Sequence, residues 1–139
     1  MKIVFGDPKT GKCFQKELEA GKETQFYGKN IGEKFEGGLL GLPGYELEIT
    51  GGSNKQGTPM VPYIQGQRKL KATLPLGVGV RNFKKKRPVG KGQKVKKRVC
   101  GDTVSEETAQ INARITTQGA QPLAELGFTP KEKKAEVKK

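Results

Sequence analysis

A mostly β fold with a small hydrophobic core is predicted by three features of the sequence. Only 32% of the 139 residues are hydrophobic and 6% are aromatic, without a tryptophan, so the chain can bury a modest barrel or sandwich. Twenty glycines and eight prolines punctuate short strands more readily than long helices. Two segments alternate between apolar and polar residues, as half-buried strands do. The length fits one domain, residues 1–128, followed by a charged tail, residues 129–139.

The first two strands are predicted to form a hairpin. Residues 2–5 and 12–18 flank the sequence Asp7-Pro8-Lys9-Thr10-Gly11. Proline presets the backbone for an early turn position and glycine adopts a left-handed one, so this sequence is typical of a tight turn. The signal then weakens, because the apolar residues between 19 and 42 are spread among six glycines. A loop with one short helix or strand is expected there.

Alternation predicts a later strand in which Tyr45, Leu47 and Ile49 share one face and two glutamates share the other. The segment 103–106, Thr-Val-Ser-Glu, has the form of a capping box and predicts a single helical turn. The glycine-spaced, cationic segment 77–98 has too few apolar residues for a core of its own and is expected on the surface. Further strands are predicted at 69–74 and 110–116.

A glycine-bounded loop at residues 51–57 has two interpretations of comparable weight. Its glycines satisfy positive φ angles at the end of a strand. Alternatively, they let backbone N–H groups approach phosphates closely, while Lys55 supplies charge and Asn54 and Gln56 supply hydrogen bonds. We favour a contact loop because a basic stretch follows it.

The formal net charge of +13 originates in one part of the sequence. The 53 residues from 49 to 101 contain no acidic residue and 14 of the 27 basic ones, which leaves 13 basic and 14 acidic residues elsewhere. Such segregation favours a polyanionic partner. The predicted RNA-binding residues are Lys55, Gln56, Arg68, Lys69, Lys71, Arg81, Lys84, Lys85, Lys86, Arg87, Lys91, Lys94, Lys96, Lys97 and Arg98.

The run from 81 to 98 is the strongest part of this signal. A charged run is usually a solvated face, but here ten charges share one sign. Their mutual repulsion is relieved when phosphates pair with them and counterions are released. Each neutralised phosphate should steepen the log-log salt dependence of binding by about 0.7 to 0.9. Phe83 is the one aromatic residue in the run, so contact with the backbone of folded RNA is favoured over base stacking.

The most enzyme-like motif, Gly6 to Cys13, approaches the phosphate-binding P-loop pattern but fails at its last position. That position requires a Ser or Thr hydroxyl to hold magnesium, and Cys13 is a poor ligand for a hard cation. The hairpin turn is the favoured interpretation. The chain has no histidine and its carboxylates are scattered, so we expect no enzyme, no cofactor and no small-molecule substrate.

The two cysteines, Cys13 and Cys100, do not have the spacing of a zinc site, although a disulfide between them is possible in principle. Lys97 and Arg98 precede Cys100 closely, and their charges would lower a thiol pKa. A small side chain tolerated at a strand end is the simpler interpretation. The apolar start of the chain is interrupted at Gly6, before a signal peptide or a membrane span can form, so a cytoplasmic protein without a membrane partner is expected.

Four pieces of the sequence, in order, are specific enough to indicate a family. They are the opening 2–12 with its Asp-Pro-Lys-Thr-Gly turn; Leu42-Pro43-Gly44-Tyr45-Glu46-Leu47 followed by Ile49-Thr50-Gly51-Gly52-Ser53-Asn54-Lys55-Gln56-Gly57-Thr58-Pro59-Met60; Arg98-Val99-Cys100-Gly101-Asp102-Thr103-Val104-Ser105; and Gln110-Ile111-Asn112. Together they resemble the archaeal and eukaryotic small-subunit ribosomal protein S6e family. The resemblance covers nearly all of residues 1–128.

The resemblance implies a small β-barrel-like domain that binds small-subunit rRNA beside neighbouring ribosomal proteins. By matched position, the family's basic loop falls on 81–98 and its Gly-Gly-x-x-Lys-x-Gly loop on 51–57. The sequence departs from the family pattern at Val80-Arg81-Asn82-Phe83, where a Tyr-Arg-Pro element is usual, and at Cys100, where an arginine is common. The run here is also rich in lysine, which lacks the bidentate fork of arginine, so individual RNA contacts should differ. The long serine-bearing eukaryotic extension is missing, which favours the archaeal type.

The leading hypothesis is therefore a structural constituent of the small ribosomal subunit, located on the cytoplasmic ribosome, whose basic loops stabilise folded rRNA. A free nucleic-acid chaperone or a chromatin-like DNA-binding protein would show a similar charge and stays an alternative. A nucleotide hydrolase whose site is formed by residues 6–13 is the third functional hypothesis.

Overall fold

The structure is a computed structural model, and it describes residues 1–19, 21–75, 77, 92, 94–119 and 123. Strands dominate these residues, which confirms the mostly β prediction. The strands are β1 (Lys2–Gly6), β2 (Cys13–Glu17), β3 (Lys34–Glu36), β4 (Glu46–Asn54), β5 (Lys69–Leu74), β6 (Val95–Cys100) and β7 (Thr108–Thr117). Two short 3-10 helices span Lys22–Phe26 and Gly37–Leu40. Neither of these, and no other helix in the described ranges, has the length and apolar character of a membrane span.

The strands form one large sheet and one two-stranded ribbon. The large sheet has the order β2-β1-β7-β4-β3, and β5 pairs with β6 in the ribbon. β1 and β7 are parallel, whereas the other neighbouring strands are antiparallel. Among the described residues both sheets are open, because β2 and the three-residue β3 each have a neighbour on one side only. The barrel-like closure that the family resemblance implied is therefore not confirmed.

β4 alternates as its sequence predicts. Tyr45, Leu47 and Ile49 are buried, whereas Glu46 is exposed and Glu48 is half-buried. The carboxylate of Glu48 pairs with a guanidinium on the neighbouring β7 at 2.9 Å. The buried face packs into the main core, whose largest fully buried side chains are Ile3, Phe5, Phe26, Leu40, Leu42, Leu47, Ile49, Val104 and Ile111.

The turn between β1 and β2 is built around the buried carboxylate of Asp7. Its Oδ1 accepts a hydrogen bond from the backbone N–H of Lys9 at 3.0 Å, and its Oδ2 accepts one from the hydroxyl of Thr10 at 2.9 Å. The backbone N–H of Gly11 donates to the Asp7 carbonyl, and Gly11 has a φ of +67°. The predicted hairpin is confirmed, so the motif that resembles a P-loop is a strand-turn-strand element here and lacks the helix that a phosphate-binding loop precedes.

The segment between residues 19 and 42 contains more structure than the sequence indicated. Two 3-10 helices and β3 lie in it, where one short element was expected. Phe26 and Phe35 are both buried, and their rings meet edge to face with centroids 5.1 Å apart. Leu40 is fully buried in the same core. Long-range packing of these side chains, which a local pattern does not contain, accounts for the additional elements.

The predicted loop at 51–57 is mostly strand, because β4 continues to Asn54 before the chain turns. Gly52 permits this continuation, since a Cβ there would lie 2.5 Å from the carbonyl oxygen of Gln110 on β7. The turn that follows is held by the buried Asn54 side chain. Its Oδ1 accepts hydrogen bonds from the backbone N–H groups of Gln56 at 3.0 Å and Thr58 at 2.8 Å. Gly57 has a φ of +75°, as the structural interpretation of this segment expects, and Lys55 and Gln56 are left exposed at the turn.

The single helical turn predicted at 103–106 is absent from the structure. Thr103 instead forms an isolated β-bridge with Asn30, and its hydroxyl donates to Oδ1 of Asn30 at 2.7 Å. The backbone N–H of Ser105 donates to the hydroxyl oxygen of Thr108 at 3.1 Å. These contacts use the threonine hydroxyls for tertiary pairing and for the turn before β7, so neither is available to cap a helix.

The chain that follows β6 packs tightly against the loop that precedes β5. Gly101 donates its N–H to the carbonyl of Arg68, and Asp102 accepts a hydrogen bond from the N–H of Gly66 at 2.9 Å. A Cβ at Gly101 would lie 1.7 Å from the carbonyl oxygen of Gly66. The two segments cross so closely here that no side chain fits at position 101. The ribbon adds a small second core of Val61, Leu74 and Val99.

Replacing Gly101 by alanine should therefore destabilise the fold. The added methyl group meets backbone and not the end of a flexible side chain, so the free energy of unfolding should fall by about 1–3 kcal/mol or more in urea denaturation. Gly38→Ala is the matched control, because a Cβ at Gly38 would meet nothing within 4 Å and the φ of this residue is not positive. Equal stabilities of the two variants would show that the crossing is not tight.

Replacing Asn54 by alanine should also lower the free energy of unfolding. The change leaves the buried N–H of Thr58 without its acceptor, at a cost of about 1–3 kcal/mol. Asn112→Ala removes an exposed side-chain hydrogen bond to Gln110 and should change the free energy of unfolding by less than about 0.5 kcal/mol. If both variants unfold at the same urea concentration, the Asn54 side chain does not hold the turn.

Candidate nucleic-acid interface

The β5–β6 ribbon presents positive charge on one face. Its register places Lys71 opposite Arg98 and Thr73 opposite Lys96. Because opposed residues of an antiparallel pair share a face, these side chains project to the same side, together with Lys69. The other face carries the apolar residues Leu70, Ala72, Leu74, Val95 and Val99, with Lys97 opposite Ala72. We call Lys69, Lys71, Lys96 and Arg98 the cationic face.

Most of the cationic face is not neutralised within the chain. Lys71, Lys96 and Arg98 are exposed. In the part of the chain that the structure describes, no carboxylate lies within ion-pairing distance of any of the three. Neighbouring positions along a strand on one face are about 7 Å apart, and directly opposed residues about 5 Å apart. Three like charges therefore stand close together and repel one another.

Lys69 differs from the other members of the cationic face, because it has partners. Its Nζ donates to Oε2 of Glu107 at 2.9 Å and to Oε1 of Gln56 at 3.2 Å. The pKa of the Glu107 carboxyl is held below its usual value by the hydrogen bond and the charge of Lys69. The charge of Lys55 makes a smaller contribution in the same direction. The turn after β4, strand β5 and the turn before β7 thus meet at one ion pair.

The structure brings together part of the predicted RNA-binding set. The cationic face and the turn at Lys55 and Gln56 are joined through Lys69. Arg68 and Lys94 are exposed just outside the two strands, whereas Lys97 lies on the apolar face of the ribbon. The predicted residues Arg81, Lys84, Lys85, Lys86, Arg87 and Lys91 lie outside the described residues.

Sequence reasoning missed Glu107 and an exposed aromatic side chain. Glu107 is outside the acid-free window, so its contact with Lys69 became visible only in the fold. Tyr63 is 66% exposed and is the one large hydrophobic side chain with such exposure in the described ranges. It lies in the loop that is held by the hydrogen bond between Gly66 and Asp102.

Cys100 lies at the end of β6, as the simpler interpretation of this residue expects. Both Cys13 and Cys100 are free, so no disulfide joins them. Burial raises the pKa of the Cys100 thiol, and the opposing effect of the charge on Lys69 is smaller. The hypothesis of a lowered pKa at Cys100 is therefore wrong, because the desolvation outweighs the nearby positive charge. Within the described residues, no group of His, Cys, Asp and Glu side chains has the arrangement of a metal site.

Comparison with known proteins identifies the family. The family model described as "Ribosomal protein S6e" matches residues 1–127. The chain is 42% identical to "Small ribosomal subunit protein eS6" of Methanocaldococcus jannaschii, over 90% of this chain and 88% of that protein. It is 40% identical to the protein of the same name from Methanosphaera stadtmanae, over 97% and 98%. The corresponding Haloarcula marismortui protein is 35% identical, over 89% and 92%.

These matches confirm the resemblance that the four sequence pieces indicated. Both the family model and the archaeal relatives span most of the chain. The family is one of structural ribosomal proteins, which confirms that the chain is not an enzyme. The chain belongs to the ribosomal protein S6e family.

Proposed function

We propose that this chain is a structural constituent of the small ribosomal subunit and that it binds the rRNA backbone through the cationic face. The names of the relatives support the first part, because each is a small ribosomal subunit protein. The observation that carries the second part is the set of three exposed, unneutralised cations on one side of the ribbon: Lys71, Lys96 and Arg98. The cellular location of the protein is then the cytoplasmic ribosome, where it lies beside other ribosomal proteins.

The chemistry of the face favours phosphates over base edges. Two of its three free cations are lysines, which act as point charges and have no planar fork to match a base edge. A phosphate backbone requires only positive charge at suitable intervals, and pairing with it releases condensed counterions. The repulsion among the three cations is also relieved by a polyanion. Binding should therefore depend strongly on salt and weakly on sequence.

The remaining predicted cations extend the proposed surface along the sequence. Strand β5 ends at Leu74 and β6 begins at Val95, so residues 75–94 connect the two strands of the ribbon. This connection contains seven basic residues and no acidic one. The proposal includes them, together with Lys55 and Gln56 at the turn after β4, as contacts that hold two parts of the rRNA against each other.

Replacing Lys71, Lys96 and Arg98 together by alanine should flatten the salt dependence of RNA binding. Three lost phosphate contacts reduce the log-log slope by about 2 to 3. The measurement is filter binding of the full chain to small-subunit rRNA transcribed in vitro, at a series of salt concentrations. The control is the replacement of Lys9, Lys12 and Lys34 together by alanine, because this change removes the same charge from exposed positions outside the ribbon.

The triple variant of Lys71, Lys96 and Arg98, which we call the ribbon variant, should also be incorporated less well into the small subunit than the control. Gradient sedimentation of reconstituted particles measures this incorporation. Circular dichroism melting of both variants verifies that the fold is intact. A ribbon variant whose salt slope and incorporation match those of the control would contradict the proposal. Tighter binding to duplex DNA than to rRNA would support the chromatin-like alternative instead.

A further inference from the structure

A carboxylate lies among the RNA-binding candidates at the edge of the cationic face. Glu107 accepts a hydrogen bond from Nζ of Lys69 through Oε2 at 2.9 Å. Its backbone carbonyl accepts one from the N–H of Lys55 at 2.8 Å, which fixes the two turns against each other. Gln56 accepts a second hydrogen bond from Lys69 through Oε1 at 3.2 Å. One anionic group thus lies beside Lys55, Gln56 and Lys69, which we call the cationic corner.

The exposure of the pair shows that the carboxylate is on the outside. The side chain of Glu107 is 70% exposed, whereas that of Lys69 is 27% exposed. A polyanion approaching Lys69 therefore meets the carboxylate first. An exposed ion pair of this kind contributes little free energy, so a stronger acceptor can displace it. A phosphate is such an acceptor, because its charged oxygens take the same N⁺–H hydrogen bonds as a carboxylate does.

We propose that the cationic corner is a phosphate-binding site of the chain, which the Glu107 carboxylate occupies in the free protein and leaves when RNA binds. The inference rests on the proposed function, since the phosphate is that of an RNA backbone. Glu107 then lowers the affinity for every polyanion. Only RNA that also engages Lys71, Lys96 and Arg98 compensates for the displaced carboxylate, so Glu107 acts as a determinant of specificity.

Counterion release gives the proposal a quantitative consequence. When Lys69 pairs with a phosphate, the RNA releases a condensed cation, but the displaced Glu107 carboxylate stays beside the RNA and its negative charge opposes that release. The contribution of Lys69 to the salt slope is therefore reduced in the native chain. Glu107→Gln should restore it, which steepens the log-log slope by up to about 0.7 to 0.9. Affinity for small-subunit rRNA at moderate salt should rise roughly two- to fivefold.

The neighbouring residue supplies the matched control. Glu106→Gln makes the same change of charge one position away, and within the described residues Glu106 forms no ion pair. Filter binding of the full chain to transcribed small-subunit rRNA should show a steeper slope for Glu107→Gln than for Glu106→Gln. Equal slopes for the two variants would overturn the inference, because general repulsion by either glutamate would then explain any gain.

A second comparison tests the role of Lys69. The gain on changing Glu107 to glutamine should vanish in chains that already carry Lys69→Ala, because the amine to be released is missing. A gain that persists in that background would overturn the inference. If the native chain itself binds rRNA without salt dependence, the proposed function fails; salt-dependent binding with no effect of Glu107→Gln ends this inference alone.

A spectroscopic measurement follows the displacement without any substitution. Carbon-13 NMR of the Glu107 carboxyl should show a lowered pKa in the free chain, as the Lys69 contact requires. On addition of an rRNA fragment whose binding requires Lys71, Lys96 and Arg98, the pKa should rise, because the hydrogen bond from Lys69 is lost and phosphates are near. A pKa that stays lowered in the complex would show that the pair survives binding, which would overturn the inference.

Discussion

The antiparallel pairing of β4 with β7 is the interaction on which the rest of the structure depends. β7 lies in the centre of the large sheet, between β1 and β4, and its partner β4 supplies much of the buried face. The pairing continues from Glu46 to Asn54 only because the chain has glycine at position 52, where the carbonyl oxygen of Gln110 leaves no room for a Cβ. A side chain there would separate the strands before their ends meet.

The end of this pairing determines where the charged groups lie. Asn54 pairs with Thr108 in the ladder, so the turn after β4 and the turn before β7 are adjacent. Lys55 lies on the first turn and Glu107 on the second, and their backbones are joined by a hydrogen bond. The ribbon contributes Lys69, which pairs with Glu107, and its end is held by the close approach of Gly101 to Gly66. A polar contact between three distant segments thus follows from backbone geometry.

Alternating patterns predicted those elements that have one buried and one exposed face. Strands β4 and β7 were found from the sequence for this reason, whereas the hairpin of β1 and β2 was found from the residues of its turn. Strand β6 was missed because Lys97 occupies a position on its apolar face, which breaks the alternation. The three-residue β3 and the 3-10 helices depend on contacts such as that between Phe26 and Phe35, which no local pattern reveals.

The candidate site was predictable in composition but not in arrangement. The absence of acidic residues between 49 and 101 indicated where the charge lies along the chain, and the register of β5 with β6 converts part of it into a face. Which cation is neutralised depends on a residue 38 positions from Lys69, outside that window. Sequence segregation of charge therefore overstates the charge that is free to bind RNA, because tertiary contacts can supply a counter-charge from elsewhere. On the cationic face of this chain, the free charge is that of Lys71, Lys96 and Arg98, and a polyanion relieves the repulsion among these three cations.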